Sequence, residues 1–226
     1  MTEGKPFRVE VTVDAPRDAV WRALTDPDLI RQWFGWDYDD LDAEIRYIFV
    51  DHAEPHPPGR IDFPDDTRVR QTIELAEVGP RTVVRVVKPA PLDDATWDDI
   101  YDGEEEGWRW FFEQLRFLLE RDPTGRRRTV YLTGTVPGRR AVEAVEPVEG
   151  TAPAELWHDS RYLRMVVDRA GHLVVVSAQR PLDDPEPSPA GIAISTFGLG
   201  DDAFAAVTAE WTDRWRQVAP DSAVTT

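Results

Sequence analysis

The chain has 226 residues, no cysteine, and 43 acidic against 26 basic side chains, giving a net charge of -17 at pH 7. That length can bury a core unaided, the missing cysteines exclude disulfides and thiolate metal sites, and the acidity disfavours nucleic acid or an anionic membrane surface as partner. No stretch approaches eighteen uncharged apolar residues and the N-terminus lacks a secretory signal, so a cytoplasmic protein is expected.

Phe7, Val9, Val11 and Val13 alternate with polar residues, the period of a half-buried antiparallel strand. Pro16 then suits the start of a short helix carrying Ala19, Val20, Ala23 and Leu24 inward. Thr25 or Asp26 can cap a second short helix that begins at Pro27 and buries Leu29, Ile30, Trp33 and Phe34. A strand is predicted over Ala43 to Val50, followed by a break at "PHPPG". Beyond it come a short strand near Arg60 to Phe63 and a hairpin. Val69, Gln71, Ile73 and Leu75 form one face of its first arm, Gly79 and Pro80 turn, and Thr82 to Val87 returns.

The acidic segment Pro89 to Glu106 leads into "GWRWFFEQLRFLLERDP", the strongest helix signal in the chain. Trp108, Phe111, Phe112, Leu115, Leu118 and Leu119 recur at helical spacing, and Trp110 and Phe117 widen the apolar arc. Asp122, Pro123 and Gly125 end that helix and open a linker. Strands follow at Thr129 to Thr135, Arg161 to Val167, His172 to Ala178 and Gly191 to Phe197, with "DRAG" as a hairpin turn. A terminal helix from about Asp201 to Val218 buries Phe204, Val207, Trp211, Trp215 and Val218. The expected division is 1–124 and 125–226, an α+β chain of two modules. Each half ends in antiparallel strands followed by an aromatic-rich helix, and "VVRVVKPAPLDD" is echoed by "LVVVSAQRPLDD", a short internal similarity.

"VTVDAPRDAVWRALTDPDLIRQWFGW" resembles the opening of the SRPBCC, START-like superfamily, and most closely its branch named for activators of a heat-shock-protein ATPase. The matching features are Ala15-Pro16, Val20-Trp21, Thr25-Asp26-Pro27 and Trp33-Phe34, with "GWRWFFEQLRFLLE" as the closing helix. The resemblance covers residues 6 to 122 and implies a helix-grip fold, in which a curved antiparallel sheet, like that of the major pollen allergen, wraps a long helix. Four strands after the opening helices stand where the family usually has six. The second half is either a degenerate second helix-grip unit, which its strand-then-helix ending favours, or an appendage packed on the first.

The resemblance implies a hydrophobic cavity between sheet and helix, lined by Trp33, Phe34, Trp36, Tyr47, Trp108, Phe111, Phe112, Leu115 and Leu119. Taken alone, such stripes pack as core. A ligand there would be an apolar or aromatic small molecule, oriented by Arg109, Tyr47 or Gln114. Binding without catalysis is the leading expectation. Behind it stand a protein-interaction role like that of a chaperone ATPase activator, with a homodimer as a further partner, and a cyclase- or dehydratase-like enzyme.

No catalytic residue, cofactor or metal site is assigned. Asp51, His52, Glu54 and His56 lie in a Pro-rich segment without the helical spacing that presents two imidazoles to one ion. Asp37, Asp39, Asp40, Asp42 and Glu44 lack the glycine and terminal glutamate of a calcium loop and read as a solvated acidic face. "WHDS", Trp157 to Ser160, holds triad residue types, but triads assemble through the fold rather than by adjacency.

Overall fold

The computed structural model describes residues 6–64, 71–89, 101–146 and 154–225. Val69 and the acidic stretch 90–100 lie outside the described residues. Contacts divide the chain into two compact units, Met1–Gly35 with Asp40–Asp122, and Trp36–Asp39 with Pro123–Thr226.

The first unit opens with β1 (Phe7–Val13), whose strict in-out alternation follows its Phe-x-Val-x-Val-x-Val pattern. Helix α1 (Arg17–Thr25) buries Val20, Ala23 and Leu24. Asp26 then caps α2 (Pro27–Ile30), its carboxylate accepting from the Asp28 amide at 3.0 Å with Pro27 in the first turn.

The strand predicted over Ala43 to Val50 is absent. In its place stand α3 (Leu41–Ile45) and a π-helical turn, Arg46–Asp51. Leu41, Ile45 and Phe49 recur every four residues and are all buried, so the helical period decides the segment; Tyr47 and Val50 are left on its exposed side.

Four strands complete the sheet: β2 (Glu54–His56), β3 (Arg60–Phe63), β4 (Gln71–Val78) and β5 (Arg81–Lys88). The order is β1-β5-β4-β3-β2, antiparallel between neighbours. Register builds two opposite faces. Ile61, Ile73, Val86 and Val9 form one buried apolar row across four strands. On the other face Arg60, Glu74, Arg85 and Glu10 lie opposite one another in alternating charge, with Arg85 Nε 2.8 Å from Glu10 and Arg60 Nη1 3.2 Å from Glu74.

The closing helix α4 (Gly103–Arg121) packs on β1 and buries Trp108, Trp110, Phe112, Leu115 and Phe117. Each large side chain buried in this way stabilises the fold by roughly 1.5–3 kcal/mol. Asp102 caps its start by accepting from the amides of Glu104 and Glu105 at 2.8 and 3.2 Å. Asp122 ends it in the left-handed region, at φ 44°.

The second unit contains β6 (Arg127–Pro137), α5 (Gly138–Glu143), β7 (Glu155–Asp159), β8 (Leu163–Val167), β9 (Leu173–Ala178), β10 (Pro187–Phe197), α6 (Asp201–Val218) and β11 (Ala223–Thr225). "WHD" of the triad-like string is therefore strand. The sheet order is β11-β6-β10-β9-β8-β7.

With β11 set aside, this is the topology of the first sheet. In both units the first strand is followed by helical structure, pairs with the last strand, and is joined in order by the remaining three before a long helix closes the unit. The second unit thus has the helix-grip order, with one short helix, α5, among the described residues between its first and second strands. Its core sets Val130, Leu132, Val174, Val176, Ile192 and Ile194 with Phe204, Trp211 and Trp215 of α6.

One member of the acidic segment is misread as solvated. Asp37 belongs with the second unit, where its carboxylate accepts from the Thr129 amide at 2.6 Å while its own amide donates to the Thr129 hydroxyl. This pairing holds β6 ahead of the residues that β11 covers. Beside it the Trp36 ring lies 4.4 Å from that of Tyr131, which in turn covers Gly191 so closely that a Cβ there would sit 2.8 Å from the ring. Burial raises the Tyr131 phenol above its ordinary range.

Candidate functional site: an aromatic seam with a polar end

In the first unit a continuous seam of rings runs between the opening helices, the sheet and α4. Trp33 meets Phe34 and Phe49 edge-on, with centroids 5.9 Å apart in each case. Phe34 lies 5.1 Å from Phe49 and 4.8 Å from Phe111. Phe49 meets Phe63 at 5.7 Å, Phe63 meets Trp108 at 6.3 Å, and Trp108 meets Phe112 at 5.4 Å. Such contacts contribute about 0.5–1.5 kcal/mol each beyond the area they bury.

Three hydrogen bonds fix one end of the seam. Trp33 Nε1 donates to the Ala23 carbonyl at 2.8 Å, and Gln114 Nε2 donates to the carbonyls of Trp33 and Gly35 at 2.7 and 3.2 Å. Gln114 therefore positions backbone, and Arg109, the other candidate on α4, is engaged by Glu105 and Glu106 of the same helix.

The structure gathers Trp33, Phe34, Trp108, Phe111 and Phe112 into this seam. Trp33, Phe112 and Leu115 are fully buried, while Phe111, Phe63 and Leu119 keep partial exposure. Two expected residues stand apart. Tyr47 is 59% exposed on the π-helical turn, its ring 3.9 Å from His52, whose Nδ1 lies 2.8 Å from the Tyr47 carbonyl. Trp36 belongs to the second unit, beside Tyr131.

Phe49 and Phe63 are seam residues that sequence reasoning missed. So are three polar groups at the opposite end. Trp108 Nε1 donates to Gln71 Oε1 at 2.9 Å, Gln71 Nε2 donates to Glu104 Oε1, and Lys88 Nζ donates to Glu104 Oε2. The Lys88 ammonium also lies 5.7 Å from the centroid of the Phe7 ring. Among the described residues no cluster of three or more His, Cys, Asp or Glu has the arrangement to hold a metal ion, and no helix is long and apolar enough to cross a membrane.

Strand, opening helices, antiparallel sheet and closing helix, with an aromatic interior between sheet and helix, define a helix-grip domain of the SRPBCC kind. Residues 14–120, just under half of the chain, match the family described as "Activator of Hsp90 ATPase homolog 1-like protein". Three solved structures are among those similar to the chain. DynU16, from the dynemicin biosynthetic locus, is 18% identical over 96% of this chain and 97% of its own, with a TM-score of 0.38. The di-domain ARO/CYC protein BexL, from the BE-7585A biosynthetic pathway, is 15% identical over 95% of this chain and 93% of its own, with a TM-score of 0.40. The Aha1 dimer from Colwellia psychrerythraea is 13% identical over 51% of this chain and 96% of its own, with a TM-score of 0.36. No curated protein matches the chain.

Proposed function

We propose that the first unit binds an apolar or aromatic small molecule between α4 and the sheet, with residues 1–124 as the binding domain and 125–226 as an accompanying module. The observation that carries this reading is the seam itself: rings from four separated parts of the chain meet in edge-on or tilted contacts and end in the polar group of Gln71, Lys88 and Glu104. A few polar groups at one end of an apolar lining are the common composition of a small-molecule site. Trp33, Phe34, Phe49, Phe63, Trp108, Phe111, Phe112, Leu115 and Leu119 are the proposed lining. Partial exposure of Phe111 and Phe63 makes them its rim.

Native mass spectrometry of freshly purified protein tests the proposal directly, together with titration by the neutral fluorophore N-phenylnaphthylamine. The expected result is a retained small molecule or saturable probe fluorescence, weakened about tenfold by Phe111→Ala, the scale expected for losing the contact of one partly exposed ring. No retained mass together with no saturable probe binding would sink it.

The family match supports a second reading, docking to a chaperone of the Hsp90 type. On that reading the protein raises the ATPase rate of such a chaperone whether or not the probe is bound, and an unchanged rate would count against it.

A further inference from the structure

Glu104 places a carboxylate between two donors, one for each of its oxygens: Gln71 Nε2 and Lys88 Nζ. The orientation of the Gln71 amide is dictated chemically. An indole N–H can only donate, so Trp108 takes the Oε1 side of the amide and turns Nε2 toward the carboxylate. Lys88 is confined as well, on the face of β5 that carries Val84 and Val86 inward, its side chain only 12% exposed. A cation on so largely covered a side chain is favoured by an anion beside it.

Glu104 is the exposed member of the group. Its side chain is 40% exposed in the first turn of α4, and the cap of that helix is made by Asp102 rather than by Glu104. The Glu104 side chain can therefore swing into water without uncapping the helix, provided that another anion takes its place on Lys88.

Resting on the binding reading above, we infer that the ligand is an amphipathic monoanion, an aromatic or apolar body bearing a carboxylate. The carboxylate displaces that of Glu104 from Lys88 Nζ and Gln71 Nε2, and the body lies along the rings from Trp108 to Phe34. Glu104 then acts as an internal competitor that satisfies Lys88 in the free protein and leaves when the acid arrives.

The test compares naphthoate with its methyl ester by isothermal titration calorimetry on the full chain. Naphthoate is expected to bind the wild-type protein more tightly than the ester. Glu104→Gln removes the competitor and should tighten naphthoate more than the ester. Lys88→Met should weaken naphthoate about tenfold or more, the scale of one hydrogen bond to a charged group, and the ester by less. The double variant K88M/E104Q holds no charge at this position, so it is not exposed to the cost of an unpaired buried ion, and it should bind acid and ester alike. Equal binding of acid and ester to the wild type, or an unchanged naphthoate affinity in Lys88→Met, overturns the inference while ester binding keeps the broader reading. Failure of both compounds in every variant overturns both.

Discussion

Asp62 shows how one side chain couples the charged face of the first sheet to pH. The carboxyl is held below the usual aspartate range first by its hydrogen bonds from Arg60, against the opposing effect of burial, and then by the Thr72 hydroxyl at 2.8 Å. A depressed folded-state pKa means that the stabilisation is fully present above the unfolded value of about 4 and is lost as pH falls toward the lower folded value. Urea unfolding of wild type and Asp62→Asn as a function of pH should therefore give two curves, with the wild type more stable at neutral pH and the gap closing below about pH 4. A gap independent of pH would assign the loss to packing instead of charge. At this same scale the candidate site was only half legible. Trp108, Phe111 and Phe112 stand out by their spacing on one helix, whereas Gln71, Lys88 and Glu104 lie far apart in sequence and form no motif. Only the inward parity of Gln71 with Ile73 and Leu75 placed any of these three on the face that meets α4.

At the scale of elements, side-chain caps mark where α2 and α4 begin. Asp102→Ala removes the acceptor for two first-turn amides of α4 and should lower stability by about 1 kcal/mol, with Asp102→Asn restoring most of it. Thermal unfolding followed by circular dichroism reads both variants, and an unchanged midpoint in Asp102→Ala would show that α4 is held entirely by its packed face. Where local chemistry and periodicity agreed, as in β1, α2, α4 and α6, the sequence was enough to place the element. It failed at residues 43–50, where "AEIRYIFV" offers apolar residues compatible with both a strand and a helix. The segment follows the four-residue spacing of Leu41, Ile45 and Phe49 because that buries all three against one face. The same ambiguity concealed Phe49 as a seam residue. Strand β2 was hidden by Pro55, which a short edge strand tolerates because one side of it needs no ladder donor.

For the molecule as a whole, the similarity of the two halves was only hinted at by the two Pro-Leu-Asp-Asp strings; their shared strand order emerges from long-range pairing, which local periodicity does not encode. Charge, by contrast, is readable from composition and acts over the entire chain. Acidic residues exceed basic ones by 17, and this excess repels itself in the compact state. The Debye length of about 10 Å at 0.1 M salt shrinks to about 3 Å at 1 M, so added sodium chloride screens the dispersed repulsion strongly. Contacts at hydrogen-bond distance, such as Arg85 with Glu10 at 2.8 Å, are screened less. The urea midpoint at pH 7 should consequently rise between low salt and about 0.5 M sodium chloride. Near the isoelectric point of about 4.6 the net repulsion vanishes, and the same addition should leave the midpoint level or lower it slightly. A midpoint that falls with salt at pH 7 would mean that the local pairs outweigh the global excess, and it would locate the electrostatic balance of this protein in rows such as Arg60–Glu74–Arg85–Glu10 instead of in its net charge.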